Sequence, residues 1–250
     1  MPSEWVEVKE QIGGHSLWTL PLVGAVHADT ILTTWLAMAL ALLLLWYVGR
    51  SYRTPRAGKT QTVFEGIIDY VADMVNGSLG RGGEPFVPFF IALFIFIFLL
   101  NQFGVLPFKA LGLPFGGSPT ADLNTTVPYA LFVFFMIWFV ALRKKGLGAF
   151  THLAKPFPAL LPINILEELA RPVTLAARLF FNIFVGELLF VIISSIVNAK
   201  VSVGPVNLSI AVSILPFFIQ FFNFFVGTVQ AFVFTLLGIV YLSLATAEDH

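Results

Sequence analysis

The sequence predicts an all-α polytopic membrane protein with about five membrane-crossing helices and an amphipathic helix at the membrane interface. Its chain is 58% hydrophobic and only 11% charged, whereas soluble domains carry about 25% charged residues. Its apolar residues form separate runs that are long enough to cross a bilayer. The last two runs exceed the length of an upright crossing, which predicts two long, tilted helices that form a hairpin.

The N-terminal quarter of the chain contains a tail and two predicted helices. Residues 1–28 are polar and lack the basic start and apolar core of a cleavable signal. Ile31 to Val48 is long enough for the first crossing, and Trp35 and Trp46 suit its two ends. The stretch QTVFEGIIDYVADMV then places apolar residues on one helical face, opposite three carboxylates. Such a stripe is typical of a helix that lies on the membrane surface.

The second and third crossings lie on either side of a loop rich in glycine and proline. Phe86 to Leu106 predicts the second crossing, and Val127 to Leu142 predicts a shorter third one. The third helix begins nearer Leu123 if Asp122 or Asn124 caps it, since both residue types accept hydrogen bonds from the first free backbone N–H groups.

The last two helices are predicted over Ile163 to Val197 and from about Ile210 to Ala245. Both are longer than the roughly 20 residues that an upright crossing requires. The sequence contains no internal repeat, so a single membrane domain over residues 1–250 is expected, with the helical part starting at residue 29.

The basic residues predict the orientation of the chain. Of the 14 lysines and arginines, five lie between the first two crossings and four between the third and fourth. Positively charged loops remain in the cytoplasm, which places the N-terminus outside and the C-terminal ATAEDH inside.

Arg178 is the most unusual residue of the fourth crossing. Insertion of an arginine at the centre of a membrane helix costs about 2.5–3.5 kcal/mol, and its guanidinium stays protonated. Glu187 is about 13 Å further along the helix and half a turn around it, and Glu167 is better placed to pair with Arg171. A carboxylate from another helix or chain is therefore the expected partner of Arg178, unless the arginine forms an intrachain ion pair or snorkels to the interface.

Amide side chains predict a polar seam between the last two helices. Asn182 lies one turn after Arg178, and Gln230 interrupts an apolar run of the last helix. Asn223 shares nearly the same stripe as Gln230, with Gln220 to one side. These amides could also simply bridge helices, which is common in membrane bundles.

Several motifs resemble subunit a of the rotary F-type ATP synthase. They are PINILEELARPVTLAARLFFNIFVGEL and, further on, FVGTVQAFVFTLLGIVYLSLA, with SPTADLNTT before the third crossing and KKGLGAF after it. The resemblance extends from about Phe64 to the C-terminus and implies a stator that passes ions through two offset half-channels with a ring of c subunits.

The resemblance also implies roles for individual residues. Arg178 corresponds to the arginine that faces the ring carboxylate and prevents ions from leaking between the half-channels. The polar path around it would include Glu187, Asn182 and Gln230, with Glu187 and Asp122 on the inlet side. Glu168, and with it Glu167, would line the outlet. The structural alternatives are capping by Asp122 and ion pairing between Glu167 and Arg171.

Two positions depart from the family pattern. Phe181 replaces a usual glycine, which changes how closely another helix can approach, and Asn223 occupies a position that is titratable in some relatives. Because Asn223 cannot titrate, Glu187 and Asp122 are the residues expected to carry ions along the inlet.

The resemblance implies a non-catalytic subunit whose partners are the c ring, the peripheral-stalk b subunits and the other ATP synthase subunits. It needs no cofactor or metal, and the sequence has neither cysteine nor a phosphate-binding glycine loop. A bacterial plasma membrane is the expected location, with a thylakoid membrane as the alternative. The competing functions are a stand-alone transporter that binds a carboxylate substrate at Arg178 and a structural or redox subunit. The lack of histidine within the crossings disfavours haem, and the choice between protons and sodium ions is left open.

Overall fold

The computed structural model describes residues 17–20, 24–51, 59–106, 118–146, 148, 158–198, 202–203, 206–207 and 214–246. Six long helices dominate these residues: α1 is Ala28–Ser51, α2 is Lys59–Leu79, α3 is Val87–Phe103, α4 is Leu123–Lys145, α5 is Leu161–Asn198 and α6 is Leu215–Thr246. Short 3₁₀ turns lie at Gly80–Gly82, Glu84–Phe86, Pro119–Ala121 and Pro158–Leu160.

Two short antiparallel strand pairs accompany the helices. Strand β1 (Leu17–Leu20) pairs with β2 (Gly24–His27), and β3 (Ser202–Val203) pairs with β4 (Val206–Asn207). The sequence analysis did not predict either pair. The first pair falls in the segment predicted as a polar tail, whose remaining residues, 1–16 and 21–23, lie outside the described part of the chain.

The predicted fold class is confirmed. Within the described ranges, the helices α1, α3, α4, α5 and α6 are long and apolar enough to cross a membrane. Helix α5 has 38 residues and α6 has 32, which gives lengths of about 57 and 48 Å. Because the hydrocarbon core is about 30 Å thick, these two helices tilt or extend beyond it.

Helix boundaries agree with the sequence predictions to within a few residues. Asp122 caps α4 by accepting a hydrogen bond from the backbone N–H of Asn124, at 2.9 Å. The described part of the last helix, α6, begins at Leu215, with proline at its second position, where the missing N–H costs nothing. Residues 208–213, in which the predicted start falls, lie outside the described ranges, as does the end of ATAEDH after residue 246.

The amphipathic pattern of α2 is confirmed by its burial. Val71 and Val75 are fully buried, whereas Asp69 and Asp73 are exposed. The buried face packs against α3 and α6. The position of α2 at the membrane surface stays a prediction.

Helix α6 lies at the centre of the bundle and packs against α2, α3, α4 and α5. Its buried side chains meet those of α3 and α5 in one core, whose largest fully buried members are Phe90, Phe234, Ile97, Leu100, Leu179, Ile239 and Leu242. Residues 182 and 186 of α5 contact residues 230 and 223 of α6 in reverse order. The two long helices therefore run antiparallel, as the hairpin prediction requires.

Candidate functional site

Arg178 lies near the middle of α5 on an exposed and mostly apolar face. The exposed neighbours on this face include Phe181, Val185, Leu189 and Ile192. No acidic side chain of the described residues lies within ion-pair distance of Arg178, and none of them forms a hydrogen bond with its side chain. A cation on such a face requires a partner, because hydrocarbon solvates an arginine poorly.

Glu187 is half-buried on α5, close to the C-terminal end of α3. Its carboxylate Oε1 accepts a hydrogen bond from the backbone N–H of Ser118, at 2.8 Å. A Cβ atom added to Gly104 would lie 2.8 Å from the same oxygen and 2.8 Å from Ser118 Cβ. The carboxylate therefore occupies space that any larger residue at position 104 would fill.

A buried hydrogen-bonded network supports the segment that holds Glu187. The Ser118 hydroxyl donates to the carbonyl of Leu100 at 2.9 Å and lies 2.5 Å from the Thr120 hydroxyl, which donates to Asn101 Oδ1 at 2.7 Å. Asn101 in turn donates to the Gly227 carbonyl of α6 at 2.9 Å. The sequence analysis missed this network. The available signal was the amide pair Asn101–Gln102 at the end of an otherwise apolar run.

The predicted polar seam between the last two helices is present. Asn182 donates from Nδ2 to Gln230 Oε1 at 2.7 Å. Gln230 is buried, and its side-chain nitrogen has no hydrogen-bond partner within the described ranges. A buried donor without an acceptor costs about 1–3 kcal/mol, so this amide retains the capacity to bind a further polar group.

A small polar cavity connects the environments of Glu187 and Asn182. Its volume is about 10 Å³, and its walls are formed by Asn101, Gly104, Val105, Asn182, Ile183, Glu187 and Asn223. This volume is about the minimum that holds one water molecule, and the polar walls provide the hydrogen-bond partners that such a water requires. The cavity therefore has in its walls both Glu187 and Asn182, the amide that lies one turn from Arg178.

Helices α5 and α6 approach closely at Gly186. Asn223 donates from Nδ2 to the Gly186 carbonyl at 3.1 Å. A Cβ atom on Gly186 would lie 2.3 Å from Asn223 Oδ1. Nearby, Gln220 donates to the carbonyl of Val105. The amides of α6 thus fix both α5 and the end of α3 around the cavity.

Gly186→Ala is expected to weaken this helix contact. The added methyl group would displace the Asn223 side chain and break its hydrogen bond, at a cost of about 1–3 kcal/mol for overpacking. Thermal unfolding of the purified complex should show a lower midpoint for the variant. Gly77→Ala is the matched control, because a Cβ on Gly77 meets nothing within 4 Å. Equal midpoints for the two variants would contradict the role of this contact.

A second cluster of polar residues lies nearer the N-terminal end of α5. Buried Glu168 forms an ion pair with Arg171 at 2.8 Å and accepts a hydrogen bond from the Trp138 indole at 3.1 Å. The Arg171 guanidinium also lies 5.4 Å from the ring centroid of Tyr241. The predicted partner of Arg171, Glu167, is more distant, at 3.9 Å, and is exposed. The predicted ion pair between Glu167 and Arg171 is therefore present, and the shorter ion pair of Arg171 with Glu168 was not predicted.

The structure brings some predicted site residues together and leaves others apart. Asn182 and Glu187 line the cavity and Asn182 is hydrogen-bonded to Gln230, whereas Asp122 caps α4. Glu168 lies 19 residues before Glu187 on the same helix, about 29 Å along its axis. The described residues contain no group of three or more histidine or acidic side chains placed to hold a metal ion.

Comparison with protein families gives one further finding. A family model described as ATP synthase A chain matches residues 31–243 of the chain. The matched range includes every helix from α2 to α5 and all the residues of the candidate site.

Proposed function

The chain belongs to the ATP synthase A chain family, and from this premise we propose that it forms two offset half-channels with a ring of c subunits. The family places the chain in the membrane-embedded Fo sector as a proton-translocating stator subunit. The proposal adds the route of the ion and the residues that carry it, and it treats residues 1–250 as a single membrane domain.

The exposed position of Arg178 is the observation that carries the proposal. Its permanently charged guanidinium stands on an apolar face and has no acidic partner within the described ranges. A carboxylate on the passing ring would neutralise this charge, and the arginine would favour the ionised form of that carboxylate. The same fixed charge would repel an ion that moved directly between the half-channels. Phe181, which is also exposed on this face, would contact the ring beside Arg178.

The inlet half-channel is proposed to run past Glu187 and the small cavity towards Asn182. Glu187 can accept and release a proton, while Asn182 and Gln230 can donate and accept hydrogen bonds without carrying a charge. The side-chain nitrogen of Gln230, which has no acceptor within the described ranges, supports this proposal, because a buried amide donor can bind a water molecule on the path. Asp122 is proposed to attract ions at the inlet mouth while it caps α4.

The outlet half-channel is proposed to lie at the other end of α5, beside Glu168 and the exposed Glu167. Arg178 lies about 15 Å from Glu168 and about 13 Å from Glu187 along the helix axis. The two carboxylates are thus separated by about the thickness of the hydrocarbon core. This spacing supports two access paths that meet only at the ring.

The remaining assignments follow from the proposed function. The chain performs no chemical catalysis and acts with the c ring, the peripheral-stalk b subunits and the other subunits of the complex. The bias of basic residues supports a cytoplasmic C-terminus in a bacterial plasma membrane. The translocated ion is proposed to be the proton, with sodium as the alternative.

Reconstitution with and without the partner subunits tests the proposed function. Vesicles that contain the whole complex should acidify when ATP is added, whereas vesicles that contain this chain alone should neither conduct protons rapidly nor accumulate carboxylates. Carboxylate uptake by the chain alone would support a stand-alone transporter and contradict the proposal. The matched control is the complex assembled without the c ring, which should not pump.

A further inference from the structure

A large cleft opens between α2, α4 and α6, away from the proposed ion path. Its volume is about 480 Å³, within the range of about 300–1,000 Å³ that is typical of ligand sites. Leu79, Phe86, Phe139 and Val140 contribute apolar walls, and Arg143 and Lys144 are the charged residues that line it. The cleft therefore combines an apolar interior with positive charge.

Both cations are held by residues of the cleft itself. The Arg143 guanidinium lies 4.7 Å from the ring centroid of Phe139. The Lys144 ammonium group donates to the carbonyl of Thr246 at 3.1 Å, at the C-terminal end of α6. Both side chains are exposed, and neither forms an ion pair within the described ranges. Two positioned cations are thus available to an anion at the edge of an apolar cleft.

We propose that this cleft binds an anionic phospholipid, with the headgroup phosphate between Arg143 and Lys144 and an acyl chain against the apolar walls. Basic pockets between membrane helices bind anionic headgroups because the phosphate is neutralised while the acyl chain remains in an apolar environment. Arginine suits this role since its planar fork binds phosphate oxygens in a bidentate manner. The proposal goes beyond ion translocation and does not depend on the half-channels.

The charge pattern favours a lipid over the end of this chain as the occupant. The sequence places Glu248 and Asp249 two and three residues after the end of α6, so their carboxylates are a competing source of negative charge. They would neutralise the cations but would leave the walls formed by Leu79, Phe86 and Phe139 without an apolar partner. A phospholipid satisfies both parts of the cleft.

Native mass spectrometry of the purified complex tests the proposal. The complex would be reconstituted with phosphatidylcholine and phosphatidylglycerol and then stripped of weakly held lipid. The unmodified complex should retain one phosphatidylglycerol that is lost from the double variant Arg143→Gln/Lys144→Gln. Lys145→Gln is the matched control, because it removes a cation from the same helix end but does not line the cleft. Equal retention by the double variant and the control would overturn the proposal.

Two further experiments distinguish the possible occupants of the cleft and test a variant that preserves a contact of the folded protein. Removal of residues 247–250 should leave phosphatidylglycerol bound, and loss of the lipid on truncation would show that the chain end, and not the cleft, holds it. The single variant Arg143→Gln leaves the Lys144 contact with Thr246 intact and should still lower lipid retention. Retention of phosphatidylcholine in equal amount by the unmodified complex would also contradict a site for anionic lipid.

Discussion

Arg178→Ala is expected to abolish ATP-driven proton pumping while the complex still assembles. In the proposed mechanism, loss of the guanidinium removes the charge that favours the ionised form of the ring carboxylate, and protons would pass directly between the half-channels. Assembly should be preserved because the Arg178 side chain makes no ion pair or hydrogen bond with the described residues. The measurement is acidification of inverted membrane vesicles, together with the subunit content of the purified complex.

Two variants control this result. Arg178→Lys keeps a positive charge but loses the planar fork, so it should pump more than the alanine variant and less than the original protein. Arg50→Ala removes another exposed arginine, whose guanidinium lies 5.4 Å from the Trp46 ring centroid, and should leave pumping unchanged. Coupled pumping by the Arg178→Ala complex at the original rate would refute the proposed role.

Most of the fold could be predicted from the sequence, because lengths and apolar runs determine which segments cross a bilayer. Helix α1 and helix α5 begin within three residues of their predicted starts. The cap of α4 was also predictable, since an aspartate before an apolar run accepts hydrogen bonds from the first free backbone N–H groups. These features depend on interactions between residues that are close in the sequence.

The contacts of the candidate site could be predicted only in part. The polar seam between the last two helices was predicted from their amides, and the structure adds that Asn182 pairs with Gln230 within it. The contact between Ser118 and Glu187 spans 69 positions, and no local pattern indicates which backbone N–H a distant carboxylate will meet. The ion pair between Glu168 and Arg171 was not predicted, because it depends on the burial of Glu168 against α4, where the Trp138 indole donates to its carboxylate.

Arg178 and Glu187, which lie in one apolar stretch of the sequence, differ in burial. Arg178 is exposed on the outer face of α5, whereas Glu187 is half-buried against α3 and the segment that begins at Ser118. On the proposed path, an ion that reaches Glu187 would meet this chain first and the ring later. This arrangement fits the proposal, in which the permanent charge faces the ring and the titratable group lies on the route towards it.

Glu187→Gln is expected to slow proton pumping by roughly tenfold or more, because positioned proton-transfer groups contribute about 10²- to 10⁴-fold to the steps they assist. Assembly should be unaffected, since glutamine has almost the same shape and its carbonyl oxygen can still accept the hydrogen bond from Ser118. The initial rate of vesicle acidification measures the effect, and the rate of ATP hydrolysis by the coupled complex should fall with it.

Two comparisons make the Glu187 result specific. Asp73→Asn removes an exposed carboxylate from α2, outside the cavity, and should leave the pumping rate unchanged. Gly104→Ala keeps the carboxylate but places a methyl group 2.8 Å from the present position of its Oε1, so it should also slow pumping by displacing Glu187 from Ser118. If Glu187→Gln pumps at the original rate, Glu187 does not lie on the ion path. If only Gly104→Ala slows pumping, the cavity acts through its shape and not through proton transfer at Glu187.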